Sequence, residues 1–361
     1  MDFRTRLIRS QAEDEVSSME VQPADSSFLK AHSSRRRFLG VTAAGVVTAG
    51  TTMGAAASQP RNTSNETEDS YDGFRIDTHM HVWSGDTQRF PFNHPTAPNF
   101  TPPKTAATAE LLLEEMDQFS ISHCVLVQTI YHGWDNSYLA KCLKDHPDRF
   151  KGQGLIDPTD QHVAAKLEFW MREHGLSGMR FSPIYYENRD EWMTSDAAVE
   201  LWQKAESLGA VFNFFISTPQ LPKLEQMIRR FPNVPVVIDH LARIDLKASD
   251  PLPEFQKLLA LARYPAVYVK VSELSVLSPS QQYPWRDTFE WVRRMYDAFG
   301  PDRMMWGTGF PGATRAEAGR PSLSQELDFV NREIEFLTAE DRAKILGRNA
   351  AKLWKFLPRT A

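Results

Sequence analysis

Cysteine is almost absent from this chain of 361 residues, which carries two, Cys124 and Cys142. Neither sits in a C-x-x-C arrangement, so no disulfide framework is implied, and both read as buried thiols within apolar patterns. Long apolar runs are missing too: nothing approaches the ~20 residues that a membrane-spanning helix needs. Charge of one sign is not gathered anywhere. The net charge of -5 is spread along the chain, without the basic stripe that nucleic acid demands and without an acidic tail. No Gly-rich phosphate turn follows the first strand candidate, which argues against a doubly wound dinucleotide fold, and no internal repeat is evident.

What is present begins with an unusual N-terminus. Residues 1–33 are polar and unpatterned, and then come Ser34-Arg35-Arg36-Arg37-Phe38-Leu39-Gly40 and a mildly apolar, charge-free stretch from Val41 to Ala57. Paired arginines before a weakly hydrophobic segment, with Ala55-Ala56-Ala57 ahead of Ser58, resemble a twin-arginine export signal. The expected partner is the twin-arginine export machinery, the expected location periplasmic or secreted, and no stable membrane insertion is expected. Residues 58–71 read as a flexible linker, which leaves 72–358 as the folded domain.

In that domain short apolar runs alternate with amphipathic stretches. Strands are expected at 74–82, 123–128, 150–155, 177–181, 210–216, 235–239, 266–271 and 303–307. Helices are expected at 107–119, 136–146, 161–174, 196–208, 219–231, 252–263, 285–299 and 323–336, the fifth carrying Leu221, Leu224, Met227 and Ile228 at helical spacing. Eight such alternations call for an α/β fold of the (β/α)8 TIM-barrel type, with an active-site mouth at the C-terminal ends of the strands.

The first strand holds the densest chemical signal, Ile76-Asp77-Thr78-His79-Met80-His81-Val82. Residues two apart on a strand share a face, so Asp77, His79 and His81 are expected to point together. Two adjacent imidazoles can begin a metal site or polarise a carbonyl. The other strand ends contribute Tyr131, His132, Trp134, Arg180, Ser217, Asp239, His240, Arg243, Lys270, Ser272 and Glu273. A long proline-rich loop after the first strand reads as a lid.

These motifs in this order resemble the amidohydrolase superfamily, in its amidohydrolase-related (amidohydrolase 2) group. Within it the chain is similar to 2-pyrone-4,6-dicarboxylate lactonase-type and sugar-lactone-hydrolysing members. The resemblance rests on His79-x-His81-x-Trp83, Gly178-Met179-Arg180-Phe181, Asp239-His240-Leu241-Ala242-Arg243, Arg303-Met304-Met305-Trp306-Gly307-Thr308 and Ile345-Leu346-Gly347-Arg348-Asn349. It implies a hydrolase acting on a lactone or related cyclic carboxylate by carbonyl polarisation and water attack. The implied metal ligands are His79, His81 and His240, holding one divalent ion such as zinc, with metal-free function the alternative. The implied catalytic residues are these three histidines with Glu273. Arg180, Arg243 and Lys270 are implied to hold the substrate anion, beside Tyr131 and Trp134.

Two departures stand out. Where the family ends its eighth strand with an aspartate before an aromatic residue, this chain reads Gly307-Thr308-Gly309-Phe310-Pro311. The fifth strand also lacks the histidine of metal-dependent relatives. Loss of the strand-8 carboxylate opens a second reading, a non-catalytic anion-binding descendant, and a third is a metal-dependent decarboxylase of the same fold.

Overall fold

The protein is described here by a computed structural model covering residues 74–358 apart from residues 98 and 187. The expected export signal at 1–57, with Arg35 and Arg36, and the expected linker at 58–71 lie outside the described residues.

Eight parallel strands pair in sequence order: β1 Ile76–Met80, β2 His123–Val127, β3 Phe150–Gly154, β4 Gly178–Phe181, β5 Val211–Phe214, β6 Val236–Ile238, β7 Val267–Val271 and β8 Met304–Trp306. Each is followed by a crossover helix: α1 Ala109–Gln118, α2 Ser137–Asp145, α3 Val163–His174, α4 Asp196–Leu208, α5 Leu221–Arg230, α6 Leu252–Ala260, α7 Phe289–Phe299 and α8 Leu323–Asp328. The expected barrel is therefore present. Its helices start and stop on local chemistry: Thr108 and Ser195 cap α1 and α4 through their hydroxyls, and Gly175 and Gly209 close α3 and α4 in the left-handed conformation. On α5 the buried residues are Leu221, Leu224, Met227 and Ile228, the stripe that the spacing anticipates.

Strands covered on both faces read as near-continuous apolar runs. Outward residues such as Leu126, Met179, Phe212, Ile238 and Val269 pack under the helices. Inward, Ile76, Val125, Val211, Val237 and Met305 share one cluster with Ala350, Trp354 and Phe356 of the C-terminal segment, which makes an apolar floor to the bore. Two residues further along β5 and β6 the same face carries Asn213 and Asp239, and neighbouring strands supply Gln153, Arg180 and Lys270, all at most 2% exposed. Apolar floor gives way to a polar layer within two residues.

Glycine is obligatory at one strand start. A Cβ on Gly178 would lie 1.8 Å from the carbonyl oxygen of Val211, so β4 and β5 could not pair with any larger residue there.

The barrel closes differently between β1 and β8. Three residues of β1 (Asp77 to Met80) advance against two of β2 (Cys124 to Leu126), a β-bulge. This shift overturns one expectation: Asp77 leaves the face that His79 and His81 share. Its carboxylate instead accepts hydrogen bonds from the backbone N–H of Thr308 (3.2 Å) and from its Oγ1 (2.6 Å). Thr78 Oγ1 donates to the Trp306 carbonyl at 2.6 Å, and His81 N–H donates to Gly309 O at 2.7 Å. Side chains thus do part of the work that a ladder does elsewhere. Burial raises the Asp77 pKa to about 6, against the pull of Thr308.

Candidate active site

Asp239, at the end of β6, is the centre of the polar layer. Its Oδ1 lies 3.0 Å from Lys270 Nζ and its Oδ2 3.1 Å from Arg180 Nε, with all three side chains at most 2% exposed. Burial alone would raise its pKa. Lys270, His79 and Arg180 overcome this and hold it well below the ordinary carboxylate range.

Lys270 makes two hydrogen bonds and one ion pair. Besides Asp239 it reaches the Thr78 carbonyl at 2.9 Å and His79 Nδ1 at 3.1 Å, while fully buried. The expectation that Lys270 holds the substrate anion therefore changes. Fully buried between Thr78, His79 and Asp239, it serves Asp239 and His79 instead. Burial, opposed by Asp239, lowers its pKa.

The imidazole tautomers follow from these partners. His81 Nδ1 lies 2.8 Å from the Val127 carbonyl, which only accepts, so Nδ1 carries that proton. His79 Nδ1 accepts from Lys270, which places the proton of His79 on Nε2, 3.3 Å from His81 Nε2. A continuous chain results: Lys270 to His79 to His81 to the Val127 carbonyl. Burial first, then the neighbouring ammonium of Lys270, pushes the His79 pKa well below its usual value, so the ring is neutral.

His240 and Arg243 project from an unusual turn. His240, Leu241, Ala242 and Arg243 all have φ between 48° and 51°, a left-handed turn built without glycine. Such a conformation costs roughly 1–2 kcal/mol per residue, and strain of this kind collects where function fixes the backbone. Leu241 and Ala242 are fully buried and anchor the turn. It delivers both polar ends to one partner: Glu273 Oε2 is 2.8 Å from Arg243 Nη1, and Oε1 is 3.8 Å from His240 Nε2. His240 Nδ1 meets Ser272 Oγ at 2.8 Å. Burial lowers the His240 pKa to about 4, with Glu273 and Asp239 opposing.

Glu273 was expected to supply a base. It carries a second guanidinium, Arg320 Nη2, at 3.1 Å from Oε1. Although burial pushes its pKa up, Arg320, His240 and Arg243 together hold it well below the usual range. A carboxylate so stabilised is a weaker proton acceptor than His240, whose pKa stands at about 4. Arg320, beyond β8, had no signal in the sequence, because its segment has neither periodicity nor motif.

The remaining expected residues line the mouth. Arg180 stacks over Phe215 with its Cζ 4.5 Å from the ring centroid. It also borders a small cavity with Trp134, Ser182, Tyr185 and Tyr186. Tyr131 is buried and stacks on Phe100 at 4.7 Å, its edge against Trp83. His132 bonds the Pro91 carbonyl at 3.0 Å and so fastens the proline-rich loop.

Among the described residues, one group of three could hold a metal ion: His79, Asp239 and His240, with ligand atoms within 4.8 Å of one another. Asp239 enters where the sequence suggested His81. Two neutral imidazoles and a carboxylate are donors of the kind that suits a borderline divalent ion. The ammonium of Lys270 already bridges His79 Nδ1 and Asp239. At position 309 the expected gap is real: a Cβ would meet nothing within 4 Å, though φ of +136° strains any residue but glycine.

A sequence model of the amidohydrolase family matches residues 76–356, the whole barrel. The chain belongs to that family. Its curated relatives include the 4-sulfomuconolactone hydrolase of Hydrogenophaga intermedia, 27% identical over 284 residues, covering 77% of this chain and 88% of the relative. Among solved structures, a protein of Acinetobacter baumannii described as a probable 2-pyrone-4,6-dicarboxylic acid hydrolase, with citric acid bound, superimposes with a TM-score of 0.64. It shares 21% identity and covers 78% of this chain and 99% of its own. An amidohydrolase of Burkholderia multivorans with bound zinc gives a TM-score of 0.58 at 21% identity, covering 78% and 99%. This amidohydrolase is a hydrolase, on the strength of its family and its curated relatives. No helix among the described residues is long and apolar enough to cross a membrane.

Proposed function

We propose that the protein hydrolyses a lactone that bears an acid group. The observation that carries this reading is a charge excess at the mouth. Asp239 serves both Arg180 and Lys270, and Glu273 serves both Arg243 and Arg320, around imidazoles that burial keeps neutral. Four buried cations gathered on two carboxylates favour an anionic ligand, and the names of relatives acting on sulfonated and carboxylated lactones support the choice.

The protonation states suggest a division of labour. The Nε2–H of His79, backed by Lys270 and given to His81 in the free site, would pass to the lactone carbonyl oxygen and stabilise the negative charge that develops there. His240 takes a proton from water as the water oxygen bonds to the carbonyl carbon. Glu273 and Asp239 stabilise the imidazolium that forms. The ring C–O bond then breaks, His240 returns its proton to the departing alkoxide, and a hydroxy acid leaves. His240 thereby stands in for the carboxylate that Gly309 removes. A general base contributes roughly 10²–10⁴-fold.

A second reading is favoured by the grouping of His79, Asp239 and His240 and by the zinc in one structural relative. A divalent ion such as zinc, held by those three residues, would polarise the carbonyl as a Lewis acid. Metal analysis of the purified protein, joined to pH-stat assay of lactones before and after chelation, separates the two. Turnover that survives chelation supports the metal-free route, and turnover restored only by added ion supports the other. Affinity for acid-bearing lactones without turnover would instead make the chain a binding descendant, and release of carbon dioxide from an aromatic acid would make it a decarboxylase. We further propose that residues 34–57 direct export of the folded protein to the periplasm. Arg35→Lys with Arg36→Lys should then retain it in the cytoplasm, and normal export of that double variant would defeat the proposal.

A further inference from the structure

Arg320 and Arg243 converge on one carboxylate, Glu273, at 3.1 and 2.8 Å. Both arginine side chains and Glu273 are at most 8% exposed. One negative charge is shared by two guanidiniums, and three of their other donors go unused. Arg320 Nε, Arg320 Nη1 and Arg243 Nε are buried without a hydrogen-bond partner. Buried donors are almost always satisfied, so three orphans on two adjacent guanidiniums call for an acceptor that is not part of the chain. The place also fits a ligand that spans the mouth. The Arg320 guanidinium lies over the Phe310 ring, 5.6 Å from its centroid, and the same ring also meets His81 at 5.4 Å and Trp83 at 6.1 Å.

We propose that Arg320 and Arg243 form a subsite for an oxyanion group of the substrate, carboxylate or sulfonate, whose place Glu273 holds when no ligand is bound. This rests on the lactone-hydrolase reading only for the identity of the rest of the ligand. It makes Arg320 a specificity-determining residue, selecting acid-bearing rings over neutral ones. Glu273 is then an internal competitor for the two guanidiniums and not a base. Sign separates this from a structural role. If Arg320 merely positions Glu273, removing either partner weakens the site. If the pair is a subsite, removing Arg320 weakens anion binding and neutralising Glu273 strengthens it.

The test uses the full-length protein and citrate, a tricarboxylate with no lactone bond, titrated by calorimetry into wild type, Arg320→Met, Arg320→Lys and Glu273→Gln. One charged, bidentate contact is worth roughly a 10- to 100-fold change in affinity. Arg320→Met should weaken citrate binding by about that factor, Arg320→Lys by less, and Glu273→Gln should tighten it severalfold. In parallel, kcat and KM are measured for γ-butyrolactone and its γ-carboxylate. Arg320→Met should raise KM for the carboxylated ring by far more than it changes kcat/KM for the neutral ring. Arg320→Lys keeps the test valid should the methionine variant fail to fold. The subsite is overturned if wild type does not bind citrate, if the Arg320 and Glu273 variants shift affinity in the same direction, or if both rings suffer equally. Citrate binding with the stated signs but no lactone turnover would sink the hydrolase reading alone. Turnover of the neutral ring without citrate binding would sink the subsite alone.

Discussion

Replacing Asp239 by asparagine keeps the shape of the side chain and deletes the charge that Lys270 and Arg180 share. In the wild type those cations approach it to 3.0 and 3.1 Å, with none of the three side chains more than 2% exposed. The variant leaves an ammonium and a guanidinium buried beside a neutral amide. Removing one partner from a buried pair costs about 3–5 kcal/mol, and two stranded cations place the expectation toward the upper end. At roughly 2–4 °C per kcal/mol for a domain of this size class, the unfolding midpoint should fall by about 6–20 °C. Calorimetry and urea unfolding near neutral pH read this directly. Two refinements make the reasoning vulnerable. Loss of Asp239 removes what opposes the burial-lowered pKa of Lys270. The folded state of the variant then holds fewer protons than the unfolded one, so its deficit should shrink as pH rises toward 9. The double variant Asp239→Asn with Lys270→Met, which removes the stranded ammonium, should recover much of the loss. A midpoint for Asp239→Asn within 2 °C of wild type, or a double variant less stable than the single one, would refute the assignment of Asp239 as the keystone of the bore.

Substitutions at three other positions probe separate claims. Burial raises the Glu326 pKa from the ordinary 4.5 to about 8, against Arg315; the folded state keeps that proton where the unfolded chain has lost it. This contribution is complete below about pH 4.5 and lost as pH rises through 8. Glu326→Gln should therefore gain in unfolding midpoint relative to wild type between pH 5 and 8.5, and parallel curves would count against it. Gly309→Asp and Gly309→Ala should lose similar stability, about 1–3 kcal/mol, because φ of +136° and not crowding is the obstacle. A gain in lactone turnover confined to the aspartate variant would mean that the chain is a disabled hydrolase awaiting its carboxylate. Ala242→Val puts a β-branched side chain into a left-handed position and should cost about 2 kcal/mol or more together with kcat/KM, whereas Ala242→Gly should stay within about 1 kcal/mol of wild type in denaturant titration.

Much of this architecture is legible in the residues themselves. Strand and helix positions follow from alternating apolar runs, since a barrel strand is covered on both faces and α5 shows its stripe openly. The location of the site follows as well, because ionisable residues gather where strands end. Periodicity says nothing of a single inserted residue. The bulge in β1 turns Asp77 away from the histidines and into the seam with β8, and strict alternation could not foresee it. Charge sign alone also misleads: Lys270 looks like an anion holder until its burial against Thr78, His79 and Asp239 is seen, and Glu273 looks like a base until two guanidiniums are found on it. Asp239 was visible in the Asp239-His240 pair, and its parity with Val237 on β6 would have placed it in the bore. Arg320 lies in an irregular segment, and only the fold brings it to Glu273.

The central claim is that this barrel hydrolyses an acid-bearing lactone with His240 as the proton acceptor. The most direct measurement is kcat/KM for a carboxylated lactone, followed by pH-stat at neutral pH, in wild type and in His240→Gln, with the fold of each checked by circular dichroism. Wild type should turn the substrate over, and the variant should lose roughly 10²–10⁴-fold in kcat/KM with its melting behaviour largely kept. Turnover in the variant within threefold of wild type, or no hydrolysis of any acid-bearing lactone by wild type, would contradict the account.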